Sequence, residues 1–127
     1  MKIQGCLQKK YAFATKRYCQ TLDLKDDPEL IEEYVKRHGK MYHWPEVRDG
    51  IRSVGILEME IYRLREKLFM IVETQLDFQW DIAFKKLAEL PRQAEWEEYM
   101  SIFQEVEAGV TSSEKWQLMD RFFYLYE

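Results

Sequence analysis

Apolar and polar residues alternate along this chain in two rhythms, and the rhythm changes at turn-forming residues. From Lys16 the period is two: Tyr18, Gln20, Leu22 and Leu24 share one face, and Cys19, Thr21 and Asp23 share the other. That is the pattern of a strand buried on one side. Asp26-Asp27-Pro28 then supplies a carboxylate cap and a proline for a first helical turn. Leu30, Ile31, Tyr34, Val35 and His38 recur at spacings of three and four, which predicts a helix to about His38 with Gly39 as its terminator. Trp44-Pro45-Glu46 opens a second, shorter helix that ends near Ser53, with Gly55 after it. Two strands are expected at 56–63 and 67–74, joined by Leu64-Arg65-Glu66, a connection short enough for a hairpin. In the first of these, Ile56, Glu58, Glu60 and Tyr62 have one parity, and Leu57, Met59 and Ile61 the other. Residues 78–90 read as a helix with Trp80, Ala83, Phe84 and Leu87 inward, interrupted by Pro91. Residues 93–104 read as another, with Trp96, Tyr99, Met100 and Phe103 on one stripe. A loop is expected at 109–113, and a last strand over about 116–126, where Phe122-Phe123-Tyr124 is a run of strong β-formers.

The order is β-α-β-β-α-β with each helical limb doubled. This is the α+β, ferredoxin-like split pattern, an antiparallel sheet with helices on one face. Residues 1–15 have no clear period and read as an N-terminal arm or short edge strand; 16–127 read as a single domain. A sheet covered on one side leaves its other face bare, and a second copy is the natural cover, so a two-fold homodimer is expected.

Composition narrows the classes. The 127 residues are 46% hydrophobic and 15% aromatic, enough apolar material for a core without metal or disulfide staples. The 4 Trp, 8 Tyr and 7 Phe exceed what such a core needs, which points to a ligand pocket or a subunit interface. With 19 basic and 23 acidic residues, net charge −4 and no basic block, a nucleic-acid surface is not expected. Cys6 and Cys19 have no CxxC spacing and no neighbouring His, so neither a zinc nor a redox site is expected, and free thiols suit a reducing compartment. Neither a secretory signal nor a membrane span can be read from the chain, so a cytoplasmic protein without membrane or cofactor is the expectation.

Few residues offer chemistry. Tyr34 and His38, four apart, lie one above the other on the first helix. They read either as a core Tyr with a hydrogen-bonded core His, or as a pocket wall carrying a group that moves protons near neutral pH. His43 reads as a solvent-facing loop residue, and its distance of five from His38 is not the spacing of a helical metal pair. Trp96 reads as core or as an aromatic platform for a sugar. Glu95, Glu97 and Glu98 read as a solvated face from which one carboxylate could reach a hydroxyl. Glu58 and Glu60 share a strand face, but no nucleotide loop, hydrolase triad or zincin motif accompanies them.

Four segments in order carry a resemblance. Glu32-Glu33-Tyr34-Val35-Lys36-Arg37-His38 followed by Trp44-Pro45-Glu46, the run GILEMEIY from Gly55 to Tyr62 with Leu68-Phe69-Met70-Ile71-Val72-Glu73, Trp96-Glu97-Glu98-Tyr99-Met100, and Phe123-Tyr124-Leu125 resemble the L-rhamnose mutarotase family, from about Lys16 to Tyr126. The resemblance implies a dimeric α/β-barrel type of ferredoxin-like fold and a cofactor-free aldose 1-epimerase acting on a monosaccharide. It implies His38 as proton donor and Tyr34 and Trp96 as sugar contacts. Met59 stands where the family has a sugar-binding Tyr, and Glu97 where it has a second Trp, which implies a related but altered pocket for a 6-deoxy-L-hexose. The segment from Lys16 to Leu24 resembles the branch labelled L-fucose mutarotase. Two other classes fit the same architecture: an oxygenase, haem-binding through His38 or cofactor-free, and a non-catalytic ligand-binding module.

Overall fold

A computed structural model describes residues 3–107 and 109–126. The first two residues of the expected arm, and residues 108 and 127 of the expected domain, lie outside them. The period-two signal becomes four antiparallel strands, β1 (Thr15–Asp23), β2 (Ile56–Leu64), β3 (Lys67–Gln75) and β4 (Gln117–Met119), in the order β2-β3-β1-β4. On β3, Leu68, Met70, Val72 and Thr74 are buried while Phe69, Ile71 and Glu73 between them are half-exposed. The register sets Gln20 and Leu22 of β1 and Met59 and Ile61 of β2 beside the buried row.

The helices are α1 (Pro28–Arg37), α2 (Pro45–Ser53), α3 (Trp80–Ala88), α4 (Gln93–Ser101) and the single turn α5 (Ser112–Lys115). Asp27 caps α1 by accepting from the backbone N–H of Glu29 and Leu30 at 3.0 and 3.3 Å, and Pro45 stands in the first turn of α2. Tyr34, Val47, Phe84, Leu87, Trp96 and Met100 close over the buried sheet face and form one core with it. The fold is the α+β, ferredoxin-like antiparallel sheet that the periodicity predicts.

Several local expectations are corrected. β2 contains a bulge between Ile56 and Glu58, so Ile56 joins Met59 and Ile61 on the buried face instead of sharing the face of Glu58 and Glu60. One extra residue reverses parity on one side of it. Helix α4 stops at Ser101, short of the expected 104, and Gln104 pairs with Leu24 in an isolated bridge. Part of the expected 109–113 loop is α5, held by a reciprocal Thr111–Glu114 capping box.

The final strand spans three residues, not 116–126. Beyond Met119 the chain leaves the ladder, and Phe122 is 95% exposed. Strand propensity acts only where a neighbour takes the backbone hydrogen bonds and a face is buried, and in one copy this segment has neither. The N-terminal arm touches the edge strand β2 at two points: the Tyr11 hydroxyl donates to Glu58, and Gln8 Nε2 donates to Glu60 Oε2 at 3.3 Å.

Gly55, which leads into β2, has φ +100°, and a Cβ there would meet the Phe78 ring at 3.4 Å. Gly55→Ala should therefore destabilise the fold by about 1–2 kcal/mol, read as a lower urea midpoint at unchanged m-value.

Candidate functional site

A cavity of about 760 Å³ opens between the buried sheet face and helices α1, α2 and α4, within the size range of small-molecule sites. Met59 and Ile61 form part of its floor, Tyr34 and His38 one wall, Trp44 and Val47 a second, and Gln93, Trp96 and Glu97 a third. All five residues singled out from the sequence, His38, Tyr34, Met59, Trp96 and Glu97, line this one cavity.

α1 ends at Arg37, and His38 is its C-cap, so the imidazole folds back over the last turn. Its Nδ1 lies 2.8 Å from the Tyr34 carbonyl. A carbonyl only accepts, so Nδ1 carries the hydrogen and Nε2 of the neutral ring keeps its lone pair. The ring sits 4.5 Å from the Tyr34 ring and 5.3 Å, edge to face, from Trp96. Burial lowers the His38 pKa below 6.5, the Tyr34 carbonyl opposes this, and the Arg48 charge adds to it. Burial thus outweighs the helix C-terminus, and the neutral ring is the resident form near pH 7.

Tyr34 is 3% exposed. Its hydroxyl accepts from Gln104 Nε2 at 3.2 Å, and burial raises its pKa, so it stays a proton-bearing phenol. Trp96 packs edge to face on Trp44 at 5.1 Å, and the Arg92 guanidinium lies 3.9 Å above the Trp44 ring.

The expected acidic face divides. Glu95 and Glu98 are exposed, but Glu97 turns inward. Its Oε1 pairs with Lys115 Nζ at 3.0 Å, and its Oε2 accepts from Gln93 Nε2 at 2.6 Å. Burial raises the Glu97 pKa, against the lowering effect of Lys115 and Gln93. His43, expected to face solvent, is half-buried and lines the cavity. The reason is local: the His43 N–H donates to the Gly39 carbonyl at 3.0 Å, folding the connection back over the cavity. Glu60 accepts from Gln8 and Tyr62 away from the cavity, whereas Glu58, next to the bulge, accepts from Tyr11 and also lines the cavity.

Residues not singled out from the sequence also line the cavity, among them Trp44, Gln93 and Gln104. A signal for two of them was present. Gln93, Trp96, Met100 and Gln104 fall at spacings of three and four on one helical stripe, and an amide on an otherwise apolar stripe marks a buried polar group that needs a partner. Among the described residues no cluster of three or more His, Cys, Asp or Glu is arranged to hold a metal, and no helix is long and apolar enough to cross a membrane.

Similarity to known proteins follows the same outline. The chain is 41% identical over 109 residues to a UPF0734 protein of Dictyostelium discoideum, covering 83% of this chain and 86% of the relative. It is 36% identical over 111 residues to an L-fucose mutarotase of Xanthomonas campestris pv. campestris, covering 87% and 89%. Its fold is shared with an L-rhamnose mutarotase of Formosa agariphila, with TM-score 0.63 at 19% identity and coverage of 87% of this chain and 98% of that one. Tetracenomycin F2 cyclase of Streptomyces glaucescens, a type-II polyketide cyclase, has the fold at TM-score 0.54 and 13% identity, covering 88% and 97%. The family model for L-rhamnose mutarotase matches residues 17–125, all four strands and all five helices touch that span, and the chain belongs to the L-rhamnose mutarotase family, isomerases acting on carbohydrates.

Proposed function

We propose that the protein interconverts the α and β anomers of a 6-deoxy-L-hexose, L-rhamnose or L-fucose, with His38 as its acid–base group. The observation that carries this is the placement of the imidazole: Nδ1 is tied to the Tyr34 carbonyl, which leaves Nε2 as the acceptor of the neutral ring in a cavity walled by Trp96 and Tyr34. The family match and the similarity to the L-fucose mutarotase of Xanthomonas support the sugar class.

Nε2 takes the proton of the anomeric hydroxyl as the bond from C1 to the ring oxygen breaks, and the ring oxygen gains a proton from water or a neighbouring hydroxyl. The open aldehyde turns about C1–C2. Closure reverses both transfers, with the imidazolium returning its proton. His38 thus begins as acceptor and acts as donor only in the second half. Tyr34 holds a sugar hydroxyl, Trp96 presents an aromatic surface, Met59 receives the C6 methyl group, and Glu97 serves the hydroxyl side.

The protein acts in the cytoplasm as a homodimer. Exposed Cys6 and half-exposed Cys19 are both free thiols, as suits a reducing compartment. No outer-face residue of β1 or β3 is buried, and the exposed run Phe122, Phe123, Leu125 and Tyr126 adds apolar surface for a second copy to cover.

NMR exchange spectroscopy on a panel of reducing sugars should show catalysed anomer exchange with 6-deoxy-L-hexoses. His38→Asn should remain folded and lose about 10²–10⁴-fold in rate, and Tyr34→Phe should act mainly on KM. A folded His38→Asn protein at the wild-type rate would remove His38 from the mechanism.

The same imidazole should tilt stability with pH. Its folded pKa lies below the free value of 6.5, so as pH falls the unfolded chain binds the proton first. The contribution is whole above about 6.5 and is lost as pH drops through the folded value. Urea midpoints should fall more from about pH 7 to about pH 5.5 for the wild type than for His38→Asn. Sedimentation at micromolar concentration should give a two-chain species, and a monomer alone would defeat the dimer.

A further inference from the structure

Among the described residues four buried side-chain polar atoms have no hydrogen-bond partner: Gln20 Oε1, His43 Nδ1, Gln93 Oε1 and Gln104 Oε1. Buried polar atoms are normally paired, so each exception needs a reason. Three of the four belong to residues that line the large cavity, the place where a polar ligand would supply the missing partners. Gln104 faces the Tyr34 hydroxyl, which both donates and accepts, so its amide can sit either way round. Gln93 has no such freedom. Its amide nitrogen faces Glu97 Oε2 at 2.6 Å, and a carboxylate only accepts, so the oxygen must point elsewhere.

What holds Glu97 is equally fixed. Lys115 is 4% exposed and ends α5. Its Nζ reaches Glu97 Oε1 at 3.0 Å and the Glu97 carbonyl at 2.5 Å. A buried ion pair is weak evidence of a stabilising role, because desolvation consumes most of the attraction. Its effect here is geometric. Gln93 and Glu97 also line a second cavity of about 160 Å³ under residues 109–112, so the Gln93–Glu97 bond lies in the partition between the two spaces.

We infer that Lys115, Glu97 and Gln93 form an orienting relay that makes the Gln93 amide oxygen a fixed acceptor for one hydroxyl of the bound monosaccharide. The inference rests on the sugar reading of the cavity proposed above. Gln93 is the residue that reads the hydroxyl, and Lys115 is a positioning residue acting through Glu97. The ligand class is a monosaccharide whose hydroxyl at this wall donates. An analogue that cannot donate there leaves the Gln93 oxygen unpaired and is rejected, as sites built on a buried polar partner reject analogues lacking it.

The test uses deoxyfluoro analogues of the sugar that the wild type converts, with fluorine replacing one hydroxyl at a time; fluorine retains approximate size and removes the donor. Exchange rates are measured for the wild type, Gln93→Met, Lys115→Met and Lys115→Arg, with melting temperatures alongside. The wild type should lose about tenfold or more in kcat/KM with one analogue. In Gln93→Met and Lys115→Met that penalty should shrink to about twofold or less, mainly through a raised KM for the parent sugar, and Lys115→Arg should restore it. A merely structural role would weaken all analogues alike. Undiminished discrimination in folded Gln93→Met or in folded Lys115→Met overturns the relay, as does a wild type indifferent to every substitution. Should Gln93→Met fail to fold, the two Lys115 variants read the same penalty. A wild type that neither exchanges nor binds any monosaccharide would take down the mutarotase reading and this inference together.

Discussion

Everything in this protein depends on burying one face of one sheet. Leu22, Leu68, Met70, Val72 and Ile56 form a continuous apolar layer, and the helices exist as helices because that layer gives their stripes somewhere to go. At 9 or 10 residues each, α1 to α4 are too short to persist alone. The same one-sided packing makes the cavity. Where α1, α2 and α4 arch over the β2 end of the layer, their side chains do not fill the space above Met59 and Ile61, and polar groups from three helices converge on an apolar floor.

How much of this could be read from the chain follows from range. Alternation and three-to-four spacing are local, so three strands, the start of the fourth, four helices and the hairpin are legible within a few residues, and Asp27-Pro28 marks a helix start correctly. The failures are long-range. The Phe122–Tyr126 run has strand propensity but no ladder partner among the described residues, so propensity goes unused. The bulge at Ile56 reverses parity through the β3 register, which no single-strand pattern contains.

The cavity shows the same divide. His38, Tyr34, Met59, Trp96 and Glu97 were drawn together by family resemblance, whereas spacing alone left Tyr34, His38 and Trp96 open between core and pocket. Lys115 falls between the expected 109–113 loop and the expected last strand with no pattern to mark it, and only a contact 18 positions away turns its ammonium inward. A connection between helices normally lies in solvent, which is the expectation for His43, and the Gly39 turn brings it back. Buried polar residues are the hardest to recognise from sequence, because their partners define them.

The apolar layer also sets the basicity of His38. Removing His38 from water makes its charged form costly, which frees Nε2 as a base at neutral pH. Burial alone would also weaken that base, and proton transfer is most efficient when the group's pKa lies near the working pH. The Tyr34 carbonyl moderates the loss, because an N–H bond to a carbonyl favours the charged ring and pulls the pKa back up. That carbonyl is one of the groups a helix end leaves without an intrahelical partner. Ending α1 at Arg37 therefore does three things at once: it positions the ring, selects its tautomer, and limits how far burial depresses its basicity. A histidine one turn earlier, inside the helix, would face a carbonyl already engaged and would have none of these.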